Sequence, residues 1–360
     1  MTDKKPVVLV TGASGFVGRH LVPVLAREGW QVRRAVRTLS GGDGEVLTGS
    51  IGPVTDWRVA LAGVEAVVHL AARVHHPGEE HAGALYRAVN TEGTLQLARN
   101  AAAAGVRQFV HLSTILVNGA CTDGRVPFRE DDIPAPRGIY GISKAAAESR
   151  LKELTEAADM HVTVIRPPLI YGAGALGNFR LLVRAIQRGI PLPFGAIRNR
   201  RGFLSVENLC SFIVNRLSAA TGKFDIFLIA DEAQISTPEF VRQIARAMGR
   251  NARLVPVPTP MLQLLLKMSG RPEARDSLIG SMEIDVSKLA NLDGVETAAN
   301  STDFKFYSSD SKRMDQLYSE LHGKDSRTAV YRRSEIPERL HYSGALLGDR
   351  RIGEIGRAHV

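Results

Sequence analysis

Short apolar runs alternate with longer Ala- and Leu-rich segments through the first 170 residues. Runs of strand length fall at Pro6–Val10, Gln31–Val36, Ala66–Leu70, Gln108–Leu112 and His161–Ile165, with helical-length segments expected over Gly15–Glu28, Tyr86–Ala104 and Tyr140–Ala158. Continuous apolar strands separated by helices predict an α/β fold, a doubly wound parallel sheet covered on both faces. Pro23 should kink the first helix near its middle, because it removes one backbone bond. From Tyr171 onward the alternation is irregular and punctuated by Pro and Gly. Residues 171–290 are therefore expected to form a smaller mixed α/β domain after a first domain over 1–170. Within it, Met261–Met268 is amphipathic, and a helix packed on that domain is favoured over one lying on a membrane surface. After Ala290 the text turns Ser-, Asp-, Lys- and Tyr-rich. Residues 291–360 read as an atypical tail, chimeric or out of frame, and carry no part of the functional argument.

Composition narrows the classes. In 360 residues, 44% are hydrophobic and 23% charged, which excludes disorder across the whole chain. No apolar run reaches the roughly 18 residues of a membrane span, and no signal-peptide core follows the N-terminus. Cys121 and Cys210 cannot make a disulfide framework, and no Cys/His cluster has zinc spacing, so no metal is expected and the expected location is cytoplasmic. The formal charge is +9, yet the arginines are scattered and aromatics are only 6%, so an anionic small molecule suits the charge better than nucleic acid.

One candidate anion site stands at the end of the first strand. Val7–Val10 runs into Thr11-Gly12-Ala13-Ser14-Gly15-Phe16-Val17-Gly18. A glycine-rich turn between a buried strand and a helix lets backbone N–H groups approach a pyrophosphate. Gly12 would allow the tight turn, Gly15 the close approach and Gly18 close helix packing. The acid that holds the ribose of NAD about 20 residues further on is absent; Arg37 stands there, after Arg33 and Arg34. A guanidinium there suits the 2′-phosphate of NADP(H), which is favoured, with NAD(H) as the alternative.

Candidate chemistry lies further along. Tyr140 and Lys144 are four apart and share one helical face. A nearby ammonium favours the phenolate, which would make Tyr140 an acid or base for a hydroxyl/carbonyl pair. Ser113 and Thr114 end a strand at the edge where α/β ligands bind. His69 fits a packed core histidine better than a catalytic one, His75, His76 and His81 read as a solvated loop, and Cys121 as incidental.

As an ordered set these motifs resemble the extended short-chain dehydrogenase/reductase superfamily, NAD-dependent epimerase/dehydratase family. The matching pieces are Thr11–Gly18, Val67–Ala72, Val89-Asn90-Thr-x-Gly93, Ser113-Thr114, Tyr140-x-x-x-Lys144, Arg166-Pro-Pro-x-x-Tyr171 and Arg201–Asn208, covering about residues 5–290. The resemblance is nearest to UDP-hexose 4-epimerases and 4-keto sugar reductases of surface-polysaccharide synthesis. It implies a Rossmann-type domain, a UDP-hexose substrate and a homodimer. It implies that Thr114 acts with Tyr140 and Lys144, with Ser113 as neighbour. Ser14, Phe16, Val17, Ser50, Ile51, Leu70, Ala71, Ala72 and Arg73 would line the cofactor, Asn90 would support the site, and Pro167 would lie near the nicotinamide. Asn178 and Arg201 match positions that hold a nucleotide-sugar diphosphate. Three features depart from the pattern: Ser50 replaces an acid near the adenine, the acid after the second strand is missing, and so is the Leu-Gly-Trp expected after Asp285-Val-Ser-Lys288. A non-enzymatic dinucleotide-binding regulator would share the fold, but the presence of both Tyr140 and Lys144 favours an enzyme.

Overall fold

A computed structural model describes residues 5–74, 82–175, 177–219, 222–268 and 274–290. The expected strands appear as β1 (Val7–Thr11), β2 (Gln31–Val36), β4 (Ala66–His69), β5 (Gln108–Leu112) and β6 (His161–Arg166). Two strands that the sequence reading did not single out, β3 (Glu45–Leu47) and β9 (Phe224–Leu228), complete a seven-stranded parallel sheet in the order β3-β2-β1-β4-β5-β6-β9. Side chains alternate across it, so β1 feeds two cores. Val7 and Leu9 join Trp57, Leu97 and Phe109 on one face; Val8 and Val10 join Leu21, Leu25 and Phe212 on the other.

Helices cover both faces: α1 (Phe16–Arg27), α2 (Arg58–Leu61), α3 (Gly83–Tyr86), α4 (Thr94–Ala103), α5 (Gly138–Ala157) and, later in the chain, α7 (Val206–Ala219). Helix α1 runs through Pro23 without a break, because Leu21 and Leu25 are fully buried on either side of it. The helix expected over Tyr86–Ala104 is not uniform. Between α3 and α4 the turn widens to a π-helix over Arg87–Gly93, a form that often marks functional positions, and it carries Asn90.

The second lobe is built on a two-stranded parallel sheet, β7 (Leu169–Tyr171) with β8 (Phe203–Ser205), and on α6 (Gly177–Gln187), α8 (Thr237–Ala247), α9 (Thr259–Met268) and α10 (Ala274–Leu278). Its core is aromatic: Phe203 stacks on Phe240 with centroids 3.9 Å apart, and Phe179 and Tyr171 close around them. Ser236 caps α8 by accepting from the Glu239 N–H. Residues 171–290 divide between the two lobes, since α7 packs against α1 and β9 pairs with β6. The last described helix, α11 (Ser287–Ala290), is tied to the sheet by Lys288 Nζ, which donates to the Ile226 carbonyl at 2.6 Å. The atypical tail after Ala290 and the loop of His75, His76 and His81 lie outside the described residues.

Candidate active site

The strand order reverses between β1 and β4, so the crevice for a ligand opens at the carboxyl ends of these strands. Gly12 leaves β1 with φ +70°, and a Cβ there would sit 2.8 Å from the Ala71 nitrogen. At Gly18 a Cβ would fall 2.4 Å from the Gly12 carbonyl oxygen, so only glycine lets α1 lie against the turn. Gly15 closes the turn through its N–H to the Gly12 carbonyl at 2.9 Å. No side chain caps the start of α1 and no acid stands in its first turn, so the N–H groups around Ser14, Phe16 and Val17 face a region that favours an anion. The residues present fit a dinucleotide pyrophosphate.

Buried polar bonds fix the walls of the crevice. The Thr94 hydroxyl donates to the Asn90 carbonyl at 2.7 Å, so it accepts from His69 Nε2 at 2.9 Å; His69 Nδ1 then accepts from Thr11 at 2.7 Å. Burial, helped by the Lys144 charge, holds the His69 imidazole down to about 3, so His69 is a neutral core residue as expected. The Thr11 hydroxyl also receives the Ala71 N–H, which sets the half-buried run Leu70-Ala71-Ala72-Arg73 along the crevice. Asn90 brackets Arg73, accepting from its N–H at 2.7 Å and donating to its carbonyl at 2.9 Å, and it also donates to Ser143. Ile51 packs against Gly93, Ser50 is exposed, and Arg37 is exposed just beyond β2. Arg33 and Arg34 are committed elsewhere, to the Ala60 and Ala62 carbonyls and to Asp43.

Three strand and helix ends bring the chemistry together. Thr114 follows β5, and its hydroxyl accepts from the Leu116 N–H. Buried Pro167 follows β6 and accepts from the Ile115 N–H at 3.0 Å. The start of α5 lies on this turn: Arg137 N–H donates to the Leu116 carbonyl, and a Cβ on Gly141 would sit 3.0 Å from the same oxygen. Lys144 faces the end of β5 from α5, one helical turn after Tyr140. Lys144 is fully buried and donates from Nζ to the Leu112 carbonyl at 2.8 Å.

Electrostatics here differ from the sequence-based expectation. Burial lowers the Lys144 ammonium to about 7, against the pull of Glu148. Burial raises the half-buried Tyr140 phenol, with Tyr86 adding to the rise. The direction is opposite to the expected lowering of the tyrosine by its lysine, because burial disfavours the phenolate and Tyr86 adds to it. At neutral pH Tyr140 is a phenol that can donate a proton.

Ser113 takes a different part from Thr114. Its hydroxyl donates to buried Glu148, whose carboxylate is held by Arg166 at 2.6 Å, while Arg166 also donates to Asn118 at 2.9 Å. Glu148 continues the spacing of Tyr140 and Lys144 along α5 by one more turn, a signal the sequence offered. A second buried carboxylate, Asp231, ties the lobes together: Tyr171 donates to it at 2.7 Å, Asn208 at 2.7 Å and the Ser205 N–H at 3.1 Å. Burial raises it to about 6.

The two residues expected at the diphosphate flank the aromatic cluster of the second lobe. Asn178 is exposed at the start of α6, before Phe179; Arg201 lies two residues before Phe203. Arg201 is buried, and its Nη1 donates to the carbonyls of Asp276 at 2.9 Å and Gly280 at 2.5 Å. Burial lowers it to about 10. No group of His, Cys, Asp and Glu suited to a metal occurs among the described residues.

A strand–glycine turn–helix, with a Tyr-x-x-x-Lys helix whose lysine reaches the end of a parallel strand, defines a short-chain dehydrogenase type of enzyme. The chain belongs to the NAD dependent epimerase/dehydratase family, whose model matches residues 8–230. It is 38% identical over 286 residues to a UDP-glucose 4-epimerase of Vibrio cholerae, covering 78% of this chain and 87% of that one. Among solved structures, MoeE5 in complex with UDP-glucose and NAD superposes with a TM-score of 0.60 at 28% identity, over 69% of this chain and 84% of that chain. UDP-N-acetylglucosamine 4-epimerase from Bacillus cereus shares the fold, with a TM-score of 0.67 at 19% identity over 87% of this chain and 98% of that one.

Proposed function

We propose that this enzyme moves hydride at C4 of a UDP-linked hexose, as a 4-epimerase or a 4-keto reductase supplying sugars for surface polysaccharide in the cytoplasm. The observation that carries this reading is buried Lys144 on α5, whose Nζ donates to the Leu112 carbonyl at the end of β5 and which follows Tyr140 by one helical turn. When bound, the nicotinamide dinucleotide supplies the hydride acceptor and donor. The chain's own residues do the rest. Tyr140 gives its proton to a C4 carbonyl oxygen or takes it from the hydroxyl, and Thr114 hydrogen-bonds the same oxygen. Lys144, near 7, exchanges protons close to neutral pH and is the neighbour through which Tyr140 is recharged. Asn178 and Arg201 take the diphosphate, Arg201 exchanging its bonds to the Asp276 and Gly280 carbonyls for bonds to phosphate oxygens.

Arg37 supports a preference for NADP(H), since it is exposed just beyond the end of β2 and its planar guanidinium suits a 2′-phosphate. A homodimer is proposed through α5, where Ile139, Ile142 and Ala146 line a groove with Arg87 and Arg150 and Ile142 is largely exposed.

The test is Tyr140→Phe. Turnover of UDP-glucose should fall by about 10²–10⁴-fold while the dissociation constant for dinucleotide, measured by calorimetry, stays unchanged. Near-normal turnover with dinucleotide bound would remove Tyr140 from the reaction. Whether the purified enzyme retains NAD or consumes added NADPH separates epimerase from reductase.

A further inference from the structure

The amphipathic segment after Pro260 is a feature that hydride chemistry leaves unused. Helix α9 is anchored by Leu262, only 4% exposed, whereas Met261, Leu264, Leu265 and Met268 are 56%, 57%, 48% and 76% exposed. Their spacing of i, i+3, i+4 and i+7 puts these four on one helical face. Val255, a few residues before α9, and Ile190 are also exposed, and their segments are joined by two bonds between Leu192 and the 253–255 stretch. Soluble monomers seldom leave such a row to water. The expected packing of this helix on the second lobe is thus made by a single buried residue of α9.

Charge says what covers it. Residues 177–268 hold thirteen Lys and Arg against five Asp and Glu, so most of the chain's +9 lies in this stretch. Arg188, Arg250, Arg253 and Lys267 make no ion pair among the described residues, whereas Arg242 and Arg246 share Glu239. A second copy laid on this face by a two-fold axis would set cations against cations. An anionic bilayer offers both what the cations lack and an apolar phase for flexible Met and Leu side chains.

We propose that the exposed face of α9, with Lys267 on the helix and exposed Arg250 and Arg253 shortly before it in the chain, docks on an anionic lipid surface. The helix lies in the headgroup plane; at 10 residues it is too short to cross. Docking seats the second lobe against the membrane, since α10, packed beside α9, supplies the Asp276 carbonyl that holds Arg201.

The experiment is co-sedimentation of the full chain with vesicles of phosphatidylcholine, with and without phosphatidylglycerol. Wild type should bind the phosphatidylglycerol vesicles and release them as salt rises to about 1 M, where the screening length shrinks to about 3 Å. Leu264→Asp/Leu265→Asp should lower the bound fraction about tenfold with unchanged melting temperature. Arg250→Glu/Arg253→Glu, which leaves the apolar row intact, should abolish the preference for anionic vesicles. Three results would overturn the proposal: no sedimentation of wild type, undiminished binding by both variants, or a wild-type dimer that the α9 variant converts to monomer. Catalysis is not read in this assay, so its failure leaves the hydride reading untouched.

Discussion

Lys144 shows how a single residue carries chemistry and stability together. Its ammonium is buried against the Leu112 carbonyl, and burial brings it from 10.5 to about 7. The unfolded chain binds that proton more tightly, so folding is penalised below about pH 7 and relieved as pH rises toward 10.5. Wild type should therefore gain on the order of 3 kcal/mol over Lys144→Met between pH 7 and pH 10, read from urea midpoints at each pH. A flat difference would mean that Lys144 is solvated in the folded protein. Arg37 acts at the same scale through charge alone. Arg37→Asp should swing the ratio of NADP(H) to NAD(H) dissociation constants toward NAD(H) by about a hundredfold at one salt concentration, since it removes a partner of the 2′-phosphate and adds a repulsion. Equal wild-type affinities for the two cofactors would overturn the preference and favour the epimerase with retained NAD.

Elements are held in register by buried charge. The Glu148–Arg166 pair joins α5 to β6, and through Ser113 and Asn118 it reaches the end of β5 and the turn after it. Both side chains are almost fully buried, so neither can be left alone without a large desolvation cost. Arg166→Met should destabilise by about 3–5 kcal/mol in urea unfolding, and Glu148→Leu/Arg166→Met should recover most of that loss. If the double variant were no better than the single one, the geometry of the network, rather than an orphaned carboxylate, would be the cause.

At the scale of the whole molecule, the outer face of α5 opposite the site is left apolar. Ile142 is 55% exposed and lies in the groove shared with Arg87 and Arg150. Ile142→Glu should shift the sedimentation of a wild-type dimer to that of a monomer, because a two-fold interface repeats each change on both sides. A wild-type monomer would remove the homodimer. Cofactor binding should persist in this variant, since Ile142 points away from the glycine turn and from Lys144, which is buried.

The amino-acid sequence by itself determined the five central strands, the long helices and the places of Gly12, Gly18, Tyr140 and Lys144. Each of these is a local pattern: an apolar run, a glycine spacing, an i,i+4 pair. It was silent on the two edge strands: β3 has only three residues, and β9 carries Asp225 and is only partly buried, so neither shows a continuous apolar run. The widened turn at Asn90 was equally hidden inside an ordinary helical pattern. Only the tertiary structure decided that the Ser113 hydroxyl goes to Glu148 while that of Thr114 goes to the Leu116 N–H, since adjacent residues leaving a strand point to opposite sides. It also decided the sign of the tyrosine's shift. Spacing puts Tyr140 and Lys144 on one helical face, but how far burial disfavours the phenolate depends on how much of the fold lies over it.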